Sequence, residues 1–345
     1  MSTTAESEVT GSGTTGSRSL RVLAVTNLWP VGDSFRGIFV KEQVEALRRV
    51  GVAVDVEVVA QERGKADYLL AAARIRRRVR SGRYDVVHVH YGMAALAARF
   101  SGRVPRVLSV YGSDVNVPWQ RAVTRMGWGG TAARIYVSPN LAASTGDKVG
   151  HVIADGVDFG LFSPRDRAEA RAALGIAPDE LAVLFGGHPD NQVKGYDVFT
   201  DVLDELRRRG LAVRELLLAA PSTPRSDVPA KFAAADALLF TSRKGSEGSP
   251  SVIKESTVMG LPVVSVDVGD AAELLDGVEP SGVVAFPEPW GTDEARARLV
   301  TALADRAAEV LAVGGRSNGR ERNARLDSRR VAEQVIAVYR QVLRR

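Results

Sequence analysis

A chain of 345 residues exceeds what one hydrophobic core ordinarily serves, so two domains are expected. Its 45% hydrophobic and 25% charged content is that of a globular protein, and no apolar run is long enough to span a bilayer. The absence of cysteine excludes disulfides and thiolate metal sites, while a net charge of +5 points to an anionic partner: nucleic acid, anionic lipid or a phosphorylated substrate.

Residues 1–19 are rich in Ser, Thr and Gly and lack the basic start and apolar middle of a signal peptide. They read as a disordered tail on a cytoplasmic protein. Gly11, Gly13 and Gly16 match a dinucleotide fingerprint by letters alone, with no strand before them and no helix after. Beyond the tail, short apolar runs alternate with helical stretches, the pattern of parallel sheets with crossover helices. In the first half strands are expected over 20–26, 52–59, 84–90, 106–110, 134–138 and 151–153. A helix over 40–50 places Val40, Val44, Leu47 and Val50 on one face and stops at Gly51.

The loop between the first strand and this helix contains Gly37, whose bare backbone can approach a phosphate closely; an ordinary loop turn is the alternative. Further on, Arg74, Arg76, Arg77, Arg78, Arg80 and Arg83 surround a helix that also carries Leu69, Leu70, Ile75 and Val79. One side of it should pack. The rest reads first as a solvated face and second as a contact for anionic lipid headgroups. Nucleic acid is not expected as a partner, since no aromatic residues interleave with the arginines.

His88 and His90 share one face of the third strand. A zinc site would need more ligands than His151 and His188 supply, so His90 is expected as a buried, hydrogen-bonded group near the cleft. Tyr111 and Asp114 follow the next strand. Tyr111 can hydrogen-bond a hydroxyl.

The second half restarts the pattern, with strands expected over 182–185, 215–219, 237–241, 263–267 and 283–286. Between the halves, 162–179 contains Pro164, Pro178 and a polar helix, and the hinge is placed there. A last apolar-periodic helix over 331–343 is expected to return to the first half. Gly187, His188, Lys194 and Gly195 occupy the loop after the first strand of this half. The string Ser246-Glu247-Gly248-Ser249-Pro250-Ser251-Val252-Ile253-Lys254-Glu255 follows the 237–241 strand. Ser249 suits an N-cap and Pro250 the first helical position, so a helix should begin here with its free amides directed at an anion. The dipole alone contributes about 0.3–1 kcal/mol, too little to hold a diphosphate, so a fixed cation should stand nearby. No Asp-x-Asp pair occurs, so no metal or other cofactor is expected.

Glu247 and Glu255 in a Glu-x7-Glu arrangement, followed by Gly-Leu-Pro-Val-Val-Ser from Gly260 to Ser265, resemble family 4 of the retaining glycosyltransferases. The likeness runs from Leu20 to Leu343 and lacks one strand-helix unit between Leu218 and Ala237. It is greatest to cell-surface polysaccharide members of the teichuronic acid type, which share the Gly-Ile-Phe-Val-Lys run starting at Gly37 and the Glu-Gly-Ser-Pro string. The resemblance implies an α/β protein of the GT-B fold, with two Rossmann-like doubly wound domains facing a central cleft. Residues 20–163 would form the acceptor domain, 164–330 the nucleotide-sugar donor domain, and 331–345 a helix packing back on the first.

By the same resemblance, Glu247 touches the hydroxyls of the transferred sugar and Glu255 binds the ribose, while Lys194 and His188 face the diphosphate. Gly37, Gly187, Gly248, Ser249, Ser251 and Val252 complete the donor site, and His90 and Asp114 line the cleft, Asp114 matching the family's aspartate either as a cleft-facing acceptor or as the group that fixes its loop. Catalysis falls to Glu247, Lys194 and Tyr111. The family carries Arg where His188 stands and His where Tyr111 stands. The implied activity moves a sugar, with retention, from a nucleotide diphosphate to a hydroxyl of a cell-surface glycan or lipid-linked intermediate, at the inner face of the membrane. A sugar-nucleotide 2-epimerase and a non-catalytic sugar-nucleotide-binding member are the alternatives.

Overall fold

A computed structural model describes residues 18–344 except 33, 60–62, 65 and 219–222. The expected tail therefore lies outside the described residues but for its last two. The first lobe runs β1 (Arg21–Thr26), α1 (Ile38–Arg49), β2 (Ala53–Val58), α2 (Ala66–Gly82), β3 (Val86–His90) and α3 (Gly92–Ala98). It continues with β4 (Arg106–Val110), α4 (Ser113–Asn116), α5 (Pro118–Trp128), β5 (Ala133–Tyr136), α6 (Pro139–Thr145) and β6 (His151–Val152). All six strands are parallel, in the order β2-β1-β3-β4-β5-β6.

The second lobe comprises α7 (Arg167–Ala173), β7 (Leu181–Phe185), α8 (Tyr196–Arg208), β8 (Val213–Leu217), α9 (Val228–Ala234), β9 (Ala237–Phe240) and α10 (Ser251–Val258). Then come β10 (Val263–Val266), α11 (Ala271–Leu274), β11 (Gly282–Val284), α12 (Asp293–Val313) and α13 (Gly319–Arg322). Its sheet is parallel throughout, ordered β11-β10-β9-β7-β8. The last helix, α14 (Ser328–Leu343), leaves this lobe.

Burial on both faces explains why the strands read as unbroken apolar runs: β3 and β4 are buried at every residue. Helices α8 and α14 show a single apolar stripe instead. On α14, Val331, Val335, Val338, Tyr339 and Val342 enter the core on one face of the first lobe's sheet, each such side chain contributing about 1.5–3 kcal/mol. Tyr339 adds a directional tie, its hydroxyl 2.6 Å from Nδ1 of buried His88.

Two expectations need correction. Residues 162–179 are not a free hinge, because Phe162, Ala170 and Ile176 are buried in the second lobe's core and Arg171 donates to the carbonyls of Ala234, Ala177 and Glu180. The chain crosses earlier and returns beside itself: Val157 N–H donates to Leu326 O at 2.8 Å, and Ser328 N–H to Val157 O at 2.9 Å. On α2, Ile75 and Val79 pack as expected, but Leu69 and Leu70 are exposed. Arg74 and Arg78 pair with Glu57, whereas Arg76, Arg77, Arg80 and Arg83 face solvent.

Candidate active site

The loops leaving the carboxyl ends of both sheets enclose a cavity of about 480 Å³, the position at which doubly wound sheets receive ligands. Its walls approach so closely that side chains are excluded. A Cβ on Gly112 of the first lobe would lie 3.0 Å from the Gly248 nitrogen of the second, and one on Gly248 would collide with the Tyr111 carbonyl oxygen.

Lys194 ends a short 3₁₀ turn after β7, whose start is capped by the Asn191 side chain accepting from Val193 N–H. Gly195 follows at φ 66, and any side chain there would strike the Thr241 carbonyl, so the turn is pinned against the end of β9. Gly187 is bare for a similar reason: a Cβ would sit 2.7 Å from Lys194 Cγ. The lysine stem therefore runs along the loop into the cavity, where Nζ reaches Oε1 of Glu247 at 2.7 Å. Ser242 donates to the same oxygen at 2.8 Å. The expected cation and the expected sugar-binding carboxylate are thus one pair, and an ammonium with three donors can serve Glu247 and an incoming phosphate together. His188 also lines the cavity, with its Nδ1 accepting from the Asp190 N–H at 3.2 Å.

Helix α10 begins one residue later than expected. Pro250 is its N-cap, and Ser249 does not cap because its hydroxyl donates to Asp270 at 2.7 Å. The helix start carries no side-chain cap, and Ser251 and Val252 lie on the cavity wall, as do Gly248 and Ser249. Its open amides meet the same space as Lys194, the combination an anion requires.

In the first lobe, Tyr111 lines the cavity with its hydroxyl 2.7 Å from Nδ1 of His90 and its ring 4.7 Å from that of Phe39. Burial raises the Tyr111 hydroxyl well above the ordinary tyrosine range and lowers His90 to about 3, so both are neutral at physiological pH. His90 and Asp114 do not line the cavity. His90 is fully buried behind Tyr111. Asp114, also buried, accepts from the amides of Gly92, Tyr111 and Gly112, so of its two expected roles it has the loop-fixing one. Burial pushes its carboxyl up to about 6 against those bonds. Gly37 is likewise not on the cavity wall: it caps α1 at φ 75, and a Cβ would sit 2.7 Å from Trp29 N. The loop contributes Leu28 and Phe35 to the wall, and the first turn of α1 adds Ile38 and Phe39.

Glu255 reaches the wall but is not free. Arg225 clasps it, Nη2 to Oε1 at 2.7 Å and Nη1 to Oε2 at 3.2 Å, and also donates from Nε to Glu42 of α1 at 2.8 Å. Sequence reasoning missed Arg225, although it stands in the loop leaving the carboxyl end of β8, where position alone could have singled it out. Asp155, after β6, was missed too. It lines the cavity, and burial raises its carboxyl although the Lys254 ammonium lies 3.9 Å away. Lys254 itself is 1% exposed, and its Nζ has no hydrogen-bond partner among the described residues.

Against known proteins, residues 36–161 match the model described as Glycosyltransferase Family 4, and residues 203–305 that described as Glycosyl transferases group 1. A D-inositol 3-phosphate glycosyltransferase of Segniliparus rotundus is 27% identical, over 76% of this chain and 67% of that protein. TuaC of Bacillus subtilis, named for teichuronic acid biosynthesis as a glycosyltransferase, is 26% identical over 55% of each chain. Among solved structures, HepE of Anabaena in complex with UDP-glucose superposes with a TM-score of 0.64 at 20% identity, covering 93% of this chain and all of that one.

Proposed function

Because the chain is a glycosyltransferase of the family 4 type with the GT-B fold, we propose that it moves a sugar from a nucleoside diphosphate to a hydroxyl acceptor with retention of configuration and without a metal. One observation carries this reading. Lys194, the uncapped start of α10 and the carboxylates Glu247 and Glu255 converge on one cavity between the sheet ends. In it, the diphosphate lies on the α10 amides and Lys194, which stabilise leaving-group charge without reorganising. Glu247, oriented by Lys194 and Ser242, accepts hydrogen bonds from the sugar's hydroxyls; Tyr111 presents its hydroxyl to the ring from the other lobe; Glu255 takes the ribose. His188 and the loop glycines complete the donor wall. No side chain is assigned as a covalent nucleophile. The acceptor hydroxyl attacks from the side the phosphate leaves, and its proton passes to the phosphate. The UDP-glucose held by HepE supports a nucleotide-sugar donor.

The acceptor we place at the cytoplasmic face of the membrane, as a cell-surface glycan or lipid-linked intermediate. Supporting this are the exposed Leu69, Leu70, Arg76, Arg77, Arg80 and Arg83 of α2 and its flank, which join apolar and cationic groups on one element. No helix among the described residues is long and apolar enough to cross a membrane.

Thermal-shift screening against UDP-, GDP- and ADP-sugars tests the donor, since a ligand of the folded form raises the melting temperature. Transfer with the selected donor, the product anomer read by NMR, tests retention. Donor consumption without an acceptor would instead indicate the epimerase, and binding without turnover across acceptors a non-catalytic role. Sedimentation with phosphatidylglycerol vesicles but not phosphatidylcholine vesicles, lost in R76E/R77E/R80E, is expected for the membrane contact.

A further inference from the structure

Glu255 comes from the middle of α10, yet the group that orients it is anchored in the other lobe. The Arg225 guanidinium lies over the Phe162 ring, 4.8 Å from its centroid, with one edge against Glu255 and another against Glu42. Two N–H bonds to the two oxygens of Glu255 set the plane of that carboxylate as well as its position. A carboxylate has about four acceptor sites, and the guanidinium occupies one on each oxygen. Glu255 is only 5% exposed, and it lines the cavity together with Arg225. Each of its oxygens therefore keeps one acceptor site, which suits two adjacent hydroxyls better than one.

Resting on the nucleotide-sugar reading above, we infer that Arg225 is the positioning residue of the ribose subsite. It holds Glu255 so that the carboxylate accepts from both hydroxyls of a ribose diol, and Glu42 steadies it from the first lobe. Arg225 does not touch the reacting atoms. It acts through Glu255, and because Glu42 belongs to α1, the subsite is complete only when the two lobes are together. The consequence is selection of ribonucleotides over 2′-deoxyribonucleotides, a property that fold integrity alone does not set.

Calorimetry on the full-length protein, with UDP against 2′-deoxy-UDP and GDP against 2′-deoxy-GDP, tests this. The wild type should favour the ribonucleotide of the bound pair by about tenfold, the worth of one hydrogen bond to a charged group. Arg225→Met should bring the ratio close to one while holding the deoxynucleotide within about threefold of its wild-type affinity, as Glu255→Ala should. Equal weakening of both nucleotides in Arg225→Met would make Arg225 a diphosphate ligand and overturn the inference. So would an unchanged ratio. Where Arg225→Met does not fold, Glu42→Ala leaves the guanidinium on Phe162 and Glu255; a reduced ratio supports the role and an undiminished one refutes it. Binding without ribose preference in the wild type removes the subsite but leaves the donor reading standing, whereas no nucleotide binding at all removes both.

Discussion

Lys194 Nζ stands 2.7 Å from Oε1 of Glu247, so the group assigned to the diphosphate and the group assigned to the sugar hold each other in place. Neither can be removed without disturbing the other. Lys194→Ala and Glu247→Ala should each lower transfer by about 10²–10³, the range for losing a preorganised electrostatic contact. Their combination should fall short of the product of the two, as expected of residues that act as a unit. Initial-rate kinetics on the three variants check this; near-normal turnover in both single variants would remove the assignment. The same assay in EDTA should show an unchanged rate.

Gly248→Ala should separate the lobes. The added methyl group collides with the carbonyl oxygen of Tyr111, a backbone atom that cannot rotate away. Small-angle scattering should report a larger radius of gyration, and transfer should be lost although each lobe stays folded. A variant of wild-type compactness and activity would show that the contact yields cheaply.

Tyr111→Phe removes the partner of His90 Nδ1 in a ring whose Nε2 already lacks one among the described residues. The cost should be about 1–3 kcal/mol in stability, read by denaturant unfolding. If Tyr111 contacts the sugar as proposed, nucleoside diphosphate affinity should stay unchanged while sugar transfer falls. Equal loss of both would place Tyr111 elsewhere.

Glu42 gives a pH dependence of defined sign. Burial raises it to about 7, an effect that Arg225, shared with Glu255, only partly offsets. A raised value in the folded state means that folding takes up a proton. The contribution to stability is complete below the unfolded value of about 4.3 and is lost as pH climbs through about 7. Glu42→Gln carries no such proton, so the wild type should lose stability relative to this variant between pH 5 and pH 8, by about 2–3 kcal/mol at most. Paired melts at the two pH values check the direction, and the reverse trend would contradict it.

Lys254→Met leaves Asp155 and Asp270 buried without their ammonium, which opposes the effect of burial on both. A loss of about 3–5 kcal/mol is expected, and adding Asp155→Asn should recover part of it. Chemical denaturation of the single and double variants gives the comparison.

Much of this molecule was readable before folding was considered. Parallel strands buried on both faces leave continuous apolar runs, so most strands are legible to within two residues, and the 331–343 helix carries its stripe openly. Lys194, Glu247, Gly248 and Glu255 stood out because they lie in contiguous strings that resemble family 4 motifs, and the structure brings all four to one cavity.

Partnership across the fold left no such mark. Arg225 finds Glu42 across 183 residues of chain, and Asp155 finds Lys254 across the cleft wall. Gly37 looked like a phosphate loop until the Leu28–Trp29 backbone took the space its missing side chain leaves, and Asp114 looked equally able to face the cleft until backbone amides claimed it. Sequence spacing encodes what neighbours along the chain can do together, through a backbone with few allowed conformations. Which distant charges meet, and which glycine is bare for a ligand or for its own protein, depends on how the two sheets and their helices come to rest against each other, and only the tertiary structure decides that.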